Sequence, residues 1–503
     1  MVIKGDYWKL GQLRSGNTVK FHPVTLEDAL KIRRTNDSFI HSLSEGVANG
    51  SIEVTKQFGS EPIPPPPTIS TPAVIKRIEE TSTRPLISYC QGGDDYLLVD
   101  YGDGHFDINH KCRTTALNRK LKASTGPIKF SATGEGIYNT VCIGNSMMIY
   151  YNGLVIPQAE LLEYLVSLEE DLGDLHSITL PNRTFTLPLT FTHPKLTESI
   201  ERYMANQRPY ASYLPDTFKF VAENNGISVD DFKKLWLTAD FVTVGVGFFM
   251  ALPECLPADP RHRLNAPKMN PSRTFTPEGT VSWGGSCLAI YPVDSPGGYM
   301  MTGMTIPGVD TLGYKYGFSQ DKPWMFEDMD VIKFEEVSLE EYDRQMALFR
   351  SGRYEWKVEP STFDMKAHNE LLRSVEGEVK AMKERQKEFQ DKMVALERQL
   401  LDKWAEDKKA SGVSMDNVHA LLDEPDIEAI EAPVNANVWK VLVEEGQLLQ
   451  KGQTVIILEA MKMEINVNVD DRLDGTKIEK VLIAPNDIVQ SGKPLILVRT
   501  QTS

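Results

Sequence analysis

The sequence predicts a mainly β chain of the α+β class built from separate pieces, and three observations carry that prediction. Short runs of β-branched and aromatic residues, cut by glycine and proline, fill residues 73–342. Apolar residues at helical spacing run from Leu371 to Trp404, and the segment after residue 431 repeats itself without a gap. A length of 503 residues leaves room for roughly two to four domains, and 41% hydrophobic with 25% charged residues is ordinary for folded protein.

Residues 7–24 alternate apolar and polar side chains around Arg14-Ser15-Gly16-Asn17, which predicts strand, turn and strand. Thr25 then reads as a helix N-cap, with Asp28 three residues on. The stretch Val19-Lys20-Phe21-His22-Pro23-Val24-Thr25-Leu26-Glu27-Asp28 recurs in outline as Ile332-Lys333-Phe334-Glu335-Glu336-Val337-Ser338-Leu339-Glu340-Glu341. Residues 1–56 are therefore expected to be the end of a domain related to the one that follows, truncated here. Residues 57–72 carry six prolines, Pro62, Pro64 to Pro67 and Pro72, and read as a linker.

Residues 73–345 form the predicted main domain, with strands at 96–99, 141–151 and 287–291 and helices at 161–171 and 197–205. Residues 360–410 read as a long amphipathic helix or helix pair. Gly377 and the gap between Met382 and Phe389 interrupt its seam, so the stripe is expected to pack on a neighbouring domain rather than form a free coiled coil. Residues 411–430 read as a flexible connection, and 431–499 as the last domain.

The formal charge of -16 argues against nucleic-acid phosphates and anionic membrane surfaces as partners. Five cysteines without Cys-x-x-Cys spacing suggest neither a disulfide framework nor a zinc site. The longest apolar run, residues 242–252, is too short to span a bilayer, and the chain is expected in the cytoplasm.

In the last domain, residues 441–458 align without gaps on residues 481–498, with Gly446 and Gly452 opposite Asn486 and Gly492 at turn positions. Between the copies stands Glu459-Ala460-Met461-Lys462-Met463, with Lys462 expected at a hairpin tip. This segment resembles the biotinyl/lipoyl carrier family, in its biotin-accepting branch; Ala432-Pro433 also matches, while Val434 departs from the usual methionine. The resemblance implies a β-hammerhead fold and biotin joined covalently to Lys462, with Glu459, Ala460, Met461 and Met463 as the flanking recognition residues.

In the main domain four segments stand out: Asp259-Pro260-Arg261-His262-Arg263-Leu264, Asn270-Pro271-Ser272-Arg273-Thr274-Phe275-Thr276, Trp283-Gly284-Gly285 and Ser295-Pro296-Gly297-Gly298-Tyr299. Together they resemble the carboxyltransferase of the urea carboxylase and urea amidolyase family. The resemblance implies cyclophilin-like β-barrel halves and transfer of a carboxyl group from biotin to urea, giving allophanate. It implies as partners a biotin protein ligase and a biotin carboxylase domain or subunit that uses ATP and bicarbonate, for which this sequence shows no Gly-rich phosphate loop. Self-association is left open.

Residue chemistry then suggests roles: Arg261 and Arg273 for anion binding, His262 for proton movement or hydrogen bonding, Asp259 or Asn270 for urea N–H groups, and the Gly297 and Gly298 amides for an oxyanion. The chain departs from the family pattern at Val246-Gly247-Phe248-Phe249 and at Met304, where the family has arginine. These departures leave open a biotinylated but inactive or binding-only relative, a carboxylase for guanidine or another amide, and a 5-oxoprolinase-like subunit.

Overall fold

The computed structural model describes the chain except residues 15, 16, 51–72, 132–134, 248, 412–425, 461, 462, 486 and 501–503. The predicted linker at 57–72 and Lys462, expected at a hairpin tip, thus lie outside the described residues.

The N-terminal segment differs from its predicted form. A single turn Lys4–Asp6 leads into the short helix Tyr7–Leu10, and residues 17–24 form no strand. The cap does form: Thr25 Oγ1 accepts from Asp28 N at 3.1 Å and starts the helix Leu26–Ala48. Its counterpart Ser338 accepts from Glu341 N at 3.2 Å and starts Leu339–Arg350. The difference lies in pairing. Val331–Glu336 bonds Thr179–Leu189 on one side and Phe241–Gly247 on the other, whereas among the described residues no strand stands beside 19–24. Backbone polar groups left without a ladder turn to water, and Phe21 is 73% exposed. The helix Leu26–Ala48 is anchored instead through Arg33, which is buried and ion-paired with Asp95, a carboxylate that Lys4 Nζ also reaches at 3.0 Å.

The main domain is a thirteen-stranded, almost wholly antiparallel sheet. Its path runs Val74–Ile78, Ile87–Gly92, Tyr96–Tyr101, Ser146–Tyr151, Ile137–Ile143, Phe241–Gly247, Leu252–Pro257, Cys287–Ile290, Thr280–Gly284, Met300–Met304. Val331–Glu336, Thr179–Leu189 and Lys357–Asp364 branch from Phe241–Gly247. The helices Ile108–Ala123 and Gln158–Glu170 supply Leu117, Leu121, Leu161 and Leu165 to a core shared with the inward residues of the first five strands. A second core gathers aromatics, with Trp236 and Trp283 edge-on at 5.5 Å between centroids. The apolar run 242–252 covers most of the strand Phe241–Gly247 and the turn into its hairpin partner Leu252–Pro257, where Met250 and Ala251 are in the left-handed region. No helix among the described residues is long and apolar enough to cross a membrane.

The helical region begins later than its sequence pattern suggests. Residues 360–364 belong to the strand Lys357–Asp364, which pairs with Thr179–Leu189 as an edge of the sheet; a proline at 360 is tolerated on such an edge. Two helices follow, Met365–Ser374 and Glu376–Ser411, and the latter, called here the long helix, lies on the main domain as expected. Met382 and Gln386 are buried, and Gln386 Nε2 donates to Arg263 O at 3.1 Å. The tightest link is Arg208, fully buried, whose guanidinium pairs with Glu397 at 2.7 Å, donates to Asn270 O at 3.0 Å and lies 5.4 Å from the Trp404 ring centroid.

The last domain is two small sheets around one core that includes Val438, Val455, Ile456, Leu458, Ile478 and Val489. The repeat is visible in left-handed Gly446, Gly452 and Gly492; Asn486 lies outside the described residues. The domain starts earlier than predicted, because Ile427–Glu431 pairs with Pro494–Arg499 and Asp426 bonds Arg499 at 2.6 Å. Thr454–Ala460 and Met463–Asn468 form the hairpin that carries the carrier motif.

Replacing Arg208 by alanine removes the partner of Glu397 and the cation against Trp404. The expected outcome is a loss of roughly 3 kcal/mol in chemical denaturation, together with faster proteolytic cleavage within the long helix.

Candidate active site

Backbone pairing brings the four motif segments of the main domain to one place. Arg273–Thr276 and Ser295–Gly297 form their own two-stranded sheet, with Gly297 opposite Arg273 and Ser295 opposite Thr276. Ala266 and Gly285 exchange two backbone bonds at 2.9 and 2.8 Å, and Trp283 Nε1 donates to Leu264 O at 3.2 Å. Met269 N donates to Gly298 O at 2.7 Å. These close approaches explain two glycines: a Cβ on Gly297 would run into the Tyr291 hydroxyl, and one on Gly284 into the Tyr299 ring.

Arg273 is the clamp at the centre. It is 1% exposed, donates to Tyr299 O at 2.6 Å, to Met269 Sδ at 2.7 Å and to Thr276 Oγ1 at 3.2 Å, and its Nε has no partner among the described residues. No carboxylate among the described residues pairs with it, and burial lowers its pKa below the arginine value. A side chain sealed in this way holds segments together and offers no open face to a dissolved anion.

Arg261 is engaged differently. It pairs with Asp259 at 2.7 Å and with Glu378 of the long helix at 3.1 Å, so two carboxylates neutralise it. Asp259 also caps its own turn by accepting from Arg261 N at 2.9 Å, and Arg261 with the local backbone holds its carboxyl below the usual range despite partial burial. His262 is half-buried, its Nδ1 has no partner among the described residues, and burial lowers its pKa below 6.5. It is therefore neutral at pH 7 and able to accept a hydrogen bond or a proton.

Asn270 points its side chain to the surface while its backbone is fixed: its carbonyl accepts from Arg208 and from the Tyr213 hydroxyl, and its N–H donates to Tyr213 at 3.1 Å. Gln207 Nε2 holds Ser272 O at 2.6 Å in the same loop. Sequence reasoning missed Gln207, Arg208, Tyr213 and Glu397, which support this loop, because they are distant in sequence and no motif marks them. Tyr299 was within reach of it as the last residue of the Gly-Gly-Tyr turn; its hydroxyl donates to Glu254 at 3.2 Å.

Met304 lies elsewhere. It packs with Ile306, Tyr342, Met346 and Phe349 at the far end of the strand whose other end, Met300, pairs with Trp283. Met304 thus lies in an apolar cluster, away from the converging segments. Among the described residues no group of His, Cys, Asp and Glu could hold a metal ion.

In the carrier domain the hairpin stays in register to its end, with Glu459 opposite Glu464 and Ala460 opposite Met463. Asn437 Nδ2 donates to Glu459 Oε2 at 3.3 Å, fixing that flank. Met461 and Lys462, which join the two strands, lie outside the described residues.

Comparison with known proteins gives the same two regions. Residues 87–311 match the family described as carboxyltransferase domain, subdomain C and D, and residues 424–498 match that described as biotin-requiring enzyme. A protein of Emericella nidulans named "Putative urea carboxylase" is 50% identical over 99% of this chain and 40% of its own length. The urea amidolyase of Lachancea kluyveri is 31% identical over 99% of this chain and 26% of its own. The solved urea carboxylase of Kluyveromyces lactis superposes with a TM-score of 0.72 at 26% identity, over 99% of this chain and 41% of that one. The chain thus spans less than half the length of each of these relatives, and by these matches it belongs to the urea carboxylase and urea amidolyase family, as its carboxyltransferase and biotin carrier region.

Proposed function

We propose that this chain passes a carboxyl group from biotin held at Lys462 to a nitrogen of urea, as the transfer and carrier portion of a biotin-dependent urea carboxylase. The observation that carries this reading is the convergence of the four motif segments, the second and fourth clamped by Arg273 and the first and third joined by Trp283 Nε1 to Leu264 O, in a chain that also bears a carrier domain matching the biotin-requiring family.

The carrier hairpin fits such a prosthetic group, because its ladder is complete to Ala460 and Met463 and leaves two residues, one of them Lys462, to join the strands. Biotin in amide linkage to Lys462 would supply a carboxyl group on its ureido ring. A biotin protein ligase would attach it, and a biotin carboxylase using ATP and bicarbonate would load it, all in the cytoplasm. For the acceptor half, a bond forms between the urea nitrogen and the carboxyl carbon as the bond from that carbon to the biotin ureido nitrogen breaks; the urea nitrogen gives up one proton, and the freed ureido nitrogen would take one up. Neutral, half-buried His262 is the candidate to receive or relay the proton. Asn270, whose side chain is exposed on a backbone fixed by Arg208 and Tyr213, is the candidate to read urea N–H and C=O groups. Asp259 and Arg261 hold the 259–263 loop, and Arg273 holds the segments in register. Gly297 and Gly298 allow that close approach.

The test is allophanate formation from urea with the biotinylated chain, a separately added biotin carboxylase, ATP and bicarbonate. Urea-dependent product that vanishes in Lys462→Arg, which also loses avidin binding, is the expected result. Preference for guanidine would move the acceptor, and no product with either acceptor would overturn the reading. The acid limb of the rate profile is expected below pH 6.5, because protonating His262 removes the acceptor. His262→Gln is expected to cut the rate by about a hundredfold with folding intact.

A further inference from the structure

Three arginines belong to the motif segments facing the long helix or the clamp, and the structure puts them in three electrostatic states. Arg261 is neutralised by Asp259 and Glu378. Arg273 is sealed at 1% exposure. Arg263 has no ion pair among the described residues: its Nε donates to Pro257 O at 3.0 Å and one terminal nitrogen to Ala258 O at 3.4 Å, which leaves the other without a bonded partner.

That guanidinium lines a cleft of about 390 Å³ between the 259–263 loop and the long helix. Lys383 and Lys387 of the helix line the cleft as well, and Phe106, Leu256 and Met382 supply an apolar wall; no Asp or Glu is among the lining residues. In a chain of net charge -16, three cations without a lining carboxylate are a local reversal of sign. The carboxylates nearest Arg263 act on it only through space: Asp107, which accepts from Asn109 N at 2.7 Å to start a helix, and Asp259, which is bound by Arg261, favour its charged form but make no ion pair with it. Lys387 is paired with Asp391 at 2.7 Å on the helix, so Arg263 and Lys383 are the lining cations without an ion pair among the described residues. A half-buried cation without a counter-ion is costly, and an anion that enters recovers that cost through charge-assisted hydrogen bonds.

We propose that this cleft binds a small organic carboxylate with an apolar body, and that Arg263 is its anchor. Resting on the function proposed above, the ligand is the N-carboxylate undergoing transfer; anion binding itself does not depend on that reading.

Benzoate and its uncharged counterpart benzamide probe the cleft, titrated calorimetrically into the full chain. Benzoate is expected to bind at least about tenfold more tightly than benzamide, and Arg263→Gln to weaken benzoate at least about tenfold. Lys383→Glu, an exposed change that leaves the fold intact, is expected to weaken it at least fivefold, roughly in line with a lost and reversed charge. Equal affinity for the two probes, or unchanged benzoate binding in Lys383→Glu and in folded Arg263→Gln, would overturn the anion site. In the transfer assay Arg263→Gln is expected to raise the KM for the loaded carrier while added benzoate competes with it. Benzoate binding in a chain that forms no allophanate would leave the anion site standing and remove the function proposed above. Normal transfer in Arg263→Gln, with benzoate binding lost, would overturn the N-carboxylate as its ligand.

Discussion

The arrangement of the main domain's loops depends on one sealed cation. Arg273 sits in the short ladder opposite Gly297 and spends its donors on Tyr299, Met269 and Thr276, so that one side chain ties the second and fourth motif segments, and Met269 before them, into a unit. A buried guanidinium without a carboxylate is costly unless its donors are satisfied by protein. That cost makes the interaction specific: a displaced Tyr299 or Met269 would leave the charge unsolvated, and the loops are held to one geometry. The glycines at 284 and 297 are the steric complement of the same clamp, since the segments approach too closely for any side chain there.

The long helix adds a second constraint from outside. Glu378 near its start holds Arg261, Gln386 holds the backbone of Arg263, and Glu397 holds Arg208, which in turn fixes Asn270. The element that leads toward the carrier domain is therefore also part of the wall of the candidate site. Positions 261 and 263 are only two residues apart, yet the helix neutralises one and brings two lysines beside the other. Electrostatic environment, not residue type, separates their roles.

Much of this was legible in the sequence. The gapless repeat gave the carrier's two halves and its turn glycines, the helix caps at Thr25 and Ser338 formed as their acidic third residues implied, and the apolar stripe of the long helix found a domain to cover. What was not legible rests on non-local pairing. Residues 19–24 have strand-like alternation but no neighbour among the described strands, while residues 357–364 contain a proline and still form a strand because Thr179–Leu189 offers an edge. Ile427–Glu431 looked like an acidic connection and is a strand for the same reason, with Pro494–Arg499 beside it. The site followed the same rule: its motif segments could be listed from the sequence, but Arg208 and Glu397 are joined only by the fold, and only geometry distinguishes a neutralised Arg261 from an unpaired Arg263.

The proposed transfer site lies between these loops and the long helix. A crystal structure of the biotinylated chain soaked with urea locates it. Urea is expected bonded to residues of the 259–263 and 270–273 loops, within reach of His262 and Asn270. Urea bound instead in the cleft beside Met304, His193 and Arg350, with the 259–273 loops empty, would contradict it.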